Sequence, residues 1–511
     1  MTRANSAPLG GTAIALSAVL ASALIWSALP SFLLSAPHGD NVEQLNWSHA
    51  LQWGYFKHPP FPTWLLWAAI QIFGPSAALT YSVAMACVAV ALLLVWRCAY
   101  QLLEPRQALI ALLVSTANYY LMGRGSFLNH NTVMLPFVAL SAWAVLRIVR
   151  GGGWPMWLVL GLAQALGLLT KYQMGLIVFA NAAALLSAGV HRRPGFGAHA
   201  TLASAATVLP LIPHAIWLAD HQFSTFEYAG HSLLADLDAA RRLTACASFL
   251  GQQLARLAPA LLALAIVVST AWARRPSFAL RATEGKPSPP ALRATEGSTN
   301  APAQAMRALT VLAVVPICCI VLLVLIAGVA PQNHWGASST LLIPLLLVSR
   351  LRAYPRQSIV AAVAATALCH AGAIAWNVTV WRVNPGPHHV FASRTLAALA
   401  QRHWSLHESG PVRLVLGPDW EAGSIALYLD GYPAVVPNAD WREAPWIDPD
   451  LMSRCGALVI ARTGQPLERQ LPDSLALSAT DSTVLKAADM LGRESAVQAA
   501  LIPPAPGRNC R

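Results

Sequence analysis

Asp40 and Glu43 stand three residues apart in Gly39-Asp-Asn-Val-Glu43, just beyond the first long apolar stretch of the chain. If that segment is helical, both carboxylates fall on one face, where acids can move a proton. Lys57 and His58 follow in Trp53-Gly-Tyr-Phe-Lys-His-Pro-Pro60. They are cationic candidates set against two prolines that force an extended exit from any helix. Two acids, two cations and several aromatics in one loop carry more chemistry than an interfacial anchor needs. Other polar groups recur at breaks between apolar stretches: Arg124, Asn129-His-Asn131, Lys171 between Leu169 and Met174, and Gln332-Asn-His-Trp335. An ionisable group at such a break is costly unless it is paired or faces a cavity, so each is a functional candidate.

The elements that must position these groups are membrane helices. Of 511 residues, 56% are hydrophobic and 11% charged, which does not suit one soluble globule. Apolar blocks at 12–34, 64–74 with 77–99, 107–122, 131–149, 155–170, 172–190, 201–218, 248–272, 308–328, 337–350 and 357–377 predict about eleven transmembrane helices. Block 12–34 is too long for the core of a signal peptide and reads as a retained first helix. Block 64–74 is too short to span, and joins the next helix or lies at the interface. The net charge of +12 gathers in alternate loops, as Arg97 and Arg106, Arg147 and Arg150, Arg192 and Arg193, Arg274 and Arg275, then Arg350, Arg352 and Arg356. That alternation is the positive-inside rule. It puts the N-terminus in the cytoplasm. Outside lie loops 35–63, 122–130, around 171, 219–247 and 329–336, together with the tail after 378. All the candidate residues then share the outer side, and the charge reports topology rather than a nucleic-acid partner.

Residues 1–377 read as the transmembrane domain. Within it, loop 273–307 repeats Ala279-Leu-Arg-Ala-Thr-Glu-Gly285 as Ala291-Leu-Arg-Ala-Thr-Glu-Gly297 and reads as a disordered cytoplasmic linker. Residues 378–511 change texture. Val412–Leu416, Ala434–Val436 and Ala457–Ala461 read as strands, Glu421–Leu429 as a helix stopped by Gly431, so a small periplasmic α/β domain is expected. If that domain is extracytoplasmic, a Cys455–Cys510 disulfide is allowed. There is no phosphate loop, no Gly-x-Gly-x-x-Gly after a strand and no His-Glu-x-x-His, so no nucleotide use is indicated.

The Asp-opened outer loop, Gly54-Tyr-Phe-Lys-His-Pro-Pro60 and Leu168-Leu-Thr-Lys171 together resemble the bacterial polytopic glycosyltransferases related to protein O-mannosyltransferases and aminoarabinose lipid A transferase. The resemblance runs from Asp40 to about Val178 and returns at His334-Trp335 and, more weakly, at Glu421–Leu429. It implies a GT-C fold in the bacterial inner membrane. The donor would be a polyprenyl-phosphate sugar (undecaprenyl phosphate as carrier), with hexosyl or pentosyl transfer to lipid A, a glycan or a protein at the periplasmic face. Asp40 stands at the position of the family's catalytic base. Asn41 replaces the glutamate that often follows, which leaves Glu43 a supporting role. Donor phosphate binding falls to Lys57 or His58, with Arg124 and Lys171. Tyr55, Asn129, His130, His334 and Trp335 are implied substrate contacts. No metal ligands are assigned, and divalent-metal assistance stays open. The competing reading is a transporter or flippase of lipid-linked intermediates, for which the paired repeats of such proteins are not seen. A non-catalytic envelope scaffold is a third.

Overall fold

The computed structural model describes residues 9–233, 238–272, 301–351, 357–508 and 510. Among them, seven helices are long and apolar enough to cross a membrane: Gly10–Leu33, Ala77–Leu102, His130–Val149, Phe196–Asp220, Ala239–Trp272, Ala301–Ala327 and Gln357–Val383. Phe61–Phe73, Trp154–Leu168 and Met174–Ser187 are apolar but shorter. Three expected blocks are interrupted, each with a local cause. Asn118 ends Pro105–Thr116 by capping a new turn at the Tyr120 amide. Pro210 and Pro213 break the ladder inside Phe196–Asp220. Block 337–350 divides into Gly336–Thr340 and Ile343–Arg350, the latter starting with Pro344. The segment around 64–74 does not join the next helix, because Gly74 leaves the helical region at φ 74°.

Burial sorts the helices. In Pro105–Thr116 every residue from Ala108 onward is buried, and His130–Val149 is mostly buried, so these form the centre. The first helix is peripheral and turns Leu20 and Leu24 outward, as Ala301–Ala327 does Leu322 and Ile326. Apolar outer faces of this kind suit lipid. Small residues let the backbones approach: a Cβ on Gly161 would lie 2.4 Å from the Ala203 carbonyl oxygen.

The expected linker 273–307 lies outside the described residues up to 300. Residues 301–307 are a correction to it, since they form the first turns of Ala301–Ala327. The last long helix runs to Val383, past the expected boundary at 377. Beyond it comes a five-stranded sheet of order β2-β1-β3-β5-β4. Its strands are β1 (Leu414–Gly417), β2 (Ala434–Pro437), β3 (Ala457–Arg462), β4 (Thr480–Ala488) and β5 (Glu494–Ile502). β1 pairs parallel with β2 and β3, while β5 runs antiparallel to β3 and β4. The helices Ser393–His407 and Asp419–Ala426 cover one face through Leu396, Trp404 and Ile425. Cys455 and Cys510 are bridged, their Cα atoms 4.6 Å apart, which ties the chain end to the start of β3.

Candidate active site

The first outer loop does form a helix, Gly39–Trp47. His38 opens it in an extended conformation and accepts the Asp40 N–H at its Nδ1, 3.4 Å away. Its ring is held by stacking on Phe127 at 4.0 Å. Asp40 thus sits in the first turn, where an acid suits the helix dipole. This loop helix is pinned on two sides. Toward the membrane helices, Asn41 donates to Thr80 (2.7 Å) and Thr63 donates to Gln44 (2.8 Å). Toward the C-terminal domain, Asn46 donates to Asp419 (2.9 Å) and Tyr432 donates to the Leu45 carbonyl (2.7 Å).

The first turn of His130–Val149 is the hub. Asn129 caps it through the amides of Asn131 and Thr132, and donates with its side-chain amide to Asp40 Oδ2 at 2.9 Å. Asn131 accepts from Lys171 Nζ at 2.6 Å. Thr132 meets the Tyr120 hydroxyl at 3.2 Å, and the Arg256 guanidinium lies over the Tyr120 ring at 5.8 Å. His334 is half-buried within electrostatic reach of Lys171, Asp40, Arg256 and Arg124. The rings of His58 and His130 lie 4.0 Å apart beside this group.

Burial without full pairing sets the electrostatics. It pushes His334 down to about 3, aided by Lys171, and His58 well below the usual imidazole value, so both are neutral. Burial likewise pushes the Lys171 ammonium down to about 7, against the pull of Asp40. The Asp40 side chain keeps 46% of its surface exposed, an acid open to a ligand amid cations.

Several expected residues are placed differently. Glu43 is not a second free acid, because Lys57 donates to it at 2.7 Å and lies 3.6 Å from Asp419. Burial pulls the Lys57 ammonium down, but Glu43 and Asp419 outweigh that and hold it above the ordinary lysine range. Lys57 is therefore already neutralised, while Lys171 and Arg124 make no ion pair among the described residues. Tyr55 is buried, stacked on Trp47 at 5.0 Å, with its hydroxyl donated to the Ala50 carbonyl. Trp335 is buried against Phe249 and Ile320. Both pack the site rather than line it. Arg256 and Asp419 were not foreseen. Arg256 carried a usable signal, since it is a lone charge inside an apolar block. Asp419 carried none. Among the described residues no group of three or more His, Cys, Asp or Glu is gathered to hold a metal.

Residues 57–217 match the family described as dolichyl-phosphate-mannose-protein mannosyltransferase. A lipopolysaccharide core galacturonosyltransferase, RgtA of Rhizobium johnstonii, is 26% identical over 195 residues, which cover 36% of this chain and 38% of that protein. The structure of ArnT from Cupriavidus metallidurans bound to undecaprenyl phosphate superposes with a TM-score of 0.63 at 12% identity, covering 96% of this chain and 98% of that one. Its apo form gives 0.59 over the same shares. The sequence match thus spans the segment that holds Lys57, Arg124, Asn129 and Lys171, and the likeness of fold extends over nearly the whole chain. Together they bear out the resemblance carried by the loop motifs: the chain is a polytopic membrane protein with an ArnT-like fold, similar to GT-C glycosyltransferases in sequence over residues 57–217.

Proposed function

We propose that the protein is a bacterial inner-membrane glycosyltransferase that moves a sugar from a polyprenyl-phosphate donor to an envelope acceptor at the periplasmic face. The observation that carries this reading is Asp40, half-exposed and oriented by Asn129, set among Lys171, Arg124, Arg256 and neutral histidines. Further support comes from ArnT, which shares the fold and was crystallised with undecaprenyl phosphate.

The chemistry follows from charge. An acceptor hydroxyl attacks the anomeric carbon as Asp40 takes its proton. The bond from that carbon to the phosphate oxygen breaks, and polyprenyl phosphate leaves with the electron pair. Negative charge grows on the phosphate, where Lys171 and Arg124 meet it. A single displacement inverts the anomeric centre. Glu43 takes no proton in this scheme; with Asp419 it holds Lys57, and the pair fixes the loop between the two domains. The donor carries its own leaving group, so the reaction asks for no cofactor.

The test is transfer from radiolabelled polyprenyl-phosphate sugars into membranes. Asp40→Asn keeps the shape and the Asn129 contact but cannot take a proton, so the rate should fall about 10²–10⁴-fold with expression intact. Full activity in that variant removes Asp40 as the base. Failure of the wild type with every donor sugar removes glycosyl transfer and favours transport of lipid-linked intermediates.

A further inference from the structure

Where the C-terminal domain meets the membrane helices, a cavity of about 280 Å³ is left between them. The ends of two membrane helices make its floor, with Phe32 from the first and Ala77, Ala78 and Tyr81 from Ala77–Leu102. Its roof is Arg394 and Thr395 of the helix Ser393–His407, together with Asp489 and Met490 at the β4–β5 turn. That floor sets the cavity at the depth of the lipid headgroups, where a spanning helix leaves the hydrocarbon. The turn is fixed there, because Arg493 donates to the Trp381 carbonyl near the end of the last membrane helix (2.8 Å). Phe32 and Met490 also line the cavity and are 71% and 78% exposed, so its rim is apolar.

The lining holds one unanswered charge. Asp489 is taken up by Arg493 at 2.6 Å and by the amides of Leu491 and Arg493. Arg394 makes no ion pair or side-chain hydrogen bond among the described residues, and lies over the Tyr428 ring at 5.0 Å. It stands in the first turn of its helix, the end at which the dipole disfavours a cation. No other acid or cation lines the cavity. The matching ligand carries one net negative charge and apolar chains, and a guanidinium takes a phosphate through paired N–H donors. A zwitterionic headgroup would bring an ammonium for which no free carboxylate lines the cavity.

Residues 35–37 form the back wall. Ser393 donates to the Ser35 carbonyl (2.7 Å), Ser35 to the His389 carbonyl (2.8 Å), and Trp420 to the Pro37 carbonyl (2.8 Å). His38 and the helix that carries Asp40 follow directly. An occupant therefore touches both domains at the joint behind Asp40.

We propose that this cavity binds a phospholipid with an anionic headgroup, drawn from the leaflet on the Asp40 side. Its phosphate lies on Arg394, its chains leave past Phe32 and Met490, and it seats the C-terminal domain on the membrane. The site is separate from the Asp40 group and does not depend on which reaction that group performs.

The experiment uses the full chain in vesicles of phosphatidylethanolamine and phosphatidylglycerol, with a trace of either lipid carrying a photoreactive group beside its glycerol. Crosslinked peptides are mapped by mass spectrometry. Ile326, exposed near the end of another membrane helix, reports contact with bulk lipid. The phosphatidylglycerol probe should label the peptides of Phe32 and Met490 about tenfold more than the phosphatidylethanolamine probe, with no such ratio at Ile326. Unlabelled phosphatidylglycerol should compete, and inorganic phosphate should not. Arg394→Gln should bring the ratio toward one, and Arg394→Lys should keep most of it, since the charge remains. Equal labelling by both probes in the wild type overturns the proposal, because the rim then meets only bulk bilayer. The same ratio at Ile326 overturns it as well. Competition by inorganic phosphate assigns the cavity to a soluble anion, and an undiminished ratio in Arg394→Gln removes the guanidinium as the phosphate's partner; either result overturns it. The wild-type arms decide the matter if Arg394→Gln does not fold. None of these readouts needs turnover, so a failure here leaves the glycosyltransferase reading untouched.

Discussion

Lys171 is buried beside Asn131, and burial pushes its ammonium down to about 7 while Asp40 pulls it back up. Below that value the side chain is charged and attracts the donor phosphate; above it the charge is lost. An arriving phosphate favours the protonated form, so donor binding takes up a proton. The donor KM should therefore rise with pH above 7, by up to about tenfold per unit. The groups facing Lys171 are Asp40, His58, His130 and His334, and the His58 and His334 imidazoles, which burial holds neutral, add no charge change in that range. Lys171→Arg stays charged throughout, so its donor KM should be flat between about pH 6 and 9. Superimposable profiles for the two proteins would show that Lys171 does not hold the phosphate. At this scale the sequence was partly legible. Asp40, Asn129, His130 and Lys171 announce themselves as polar groups at the ends of apolar runs, and they do converge. Which lysine is already spent could not be read there, because Asp419 lies hundreds of residues from Lys57 and reaches it only through the fold.

Gly39–Trp47 carries Asp40 at one end and meets the C-terminal helix Asp419–Ala426 along its side. The contact is close enough to forbid a side chain. A Cβ on Gly423 would lie 2.4 Å from Val42 Cγ1 and 2.6 Å from the Asn46 amide. Gly423→Val should cost about 1–3 kcal/mol in overpacking, relieved by pushing the loop helix away. A displacement of about 1 Å at a reacting group can cost about a hundredfold in rate. The expected result is a protein that still inserts in the membrane and loses most of its kcat. Gly372→Val, at a position with nothing within 4 Å of its Cβ, serves as the control. A fully active Gly423→Val would mean that the C-terminal domain does not position Asp40. The loop helix was legible from its acid spacing, and the β1-helix-β2 unit from its apolar runs and Gly431. The β4–β5 hairpin was not. β5 is Glu494-Ser-Ala-Val-Gln-Ala-Ala-Leu-Ile502, rich in alanine, which favours a strand little on its own. It becomes a strand because β3 offers it an open edge.

On the scale of the whole molecule, the arrangement works only if the C-terminal domain and Asp40 share one side of the membrane, and their contacts require that they do. The proposed reaction needs that side to be the periplasm, and two features favour it. Arginine pairs in every second loop fit the pattern of cytoplasmic loops, and the Cys455–Cys510 bridge suits an oxidising compartment. The bridge closes a loop between residues 55 apart, worth about 4 kcal/mol in chain entropy. Cys455→Ser should accordingly lower the denaturant midpoint of the C-terminal domain, and reduction of the wild type should do the same. The side itself can be read with a membrane-impermeant maleimide on spheroplasts. Cys455 and Cys510 should resist labelling until a mild reductant is added and then react without permeabilisation. His191→Cys, at an exposed position in an arginine-bearing loop, should react only after the membrane is opened. The reverse pattern would put Asp40 and the C-terminal domain in the cytoplasm. A reducing compartment would then leave the bridge unformed, and the periplasmic reaction proposed here would have no site on that side.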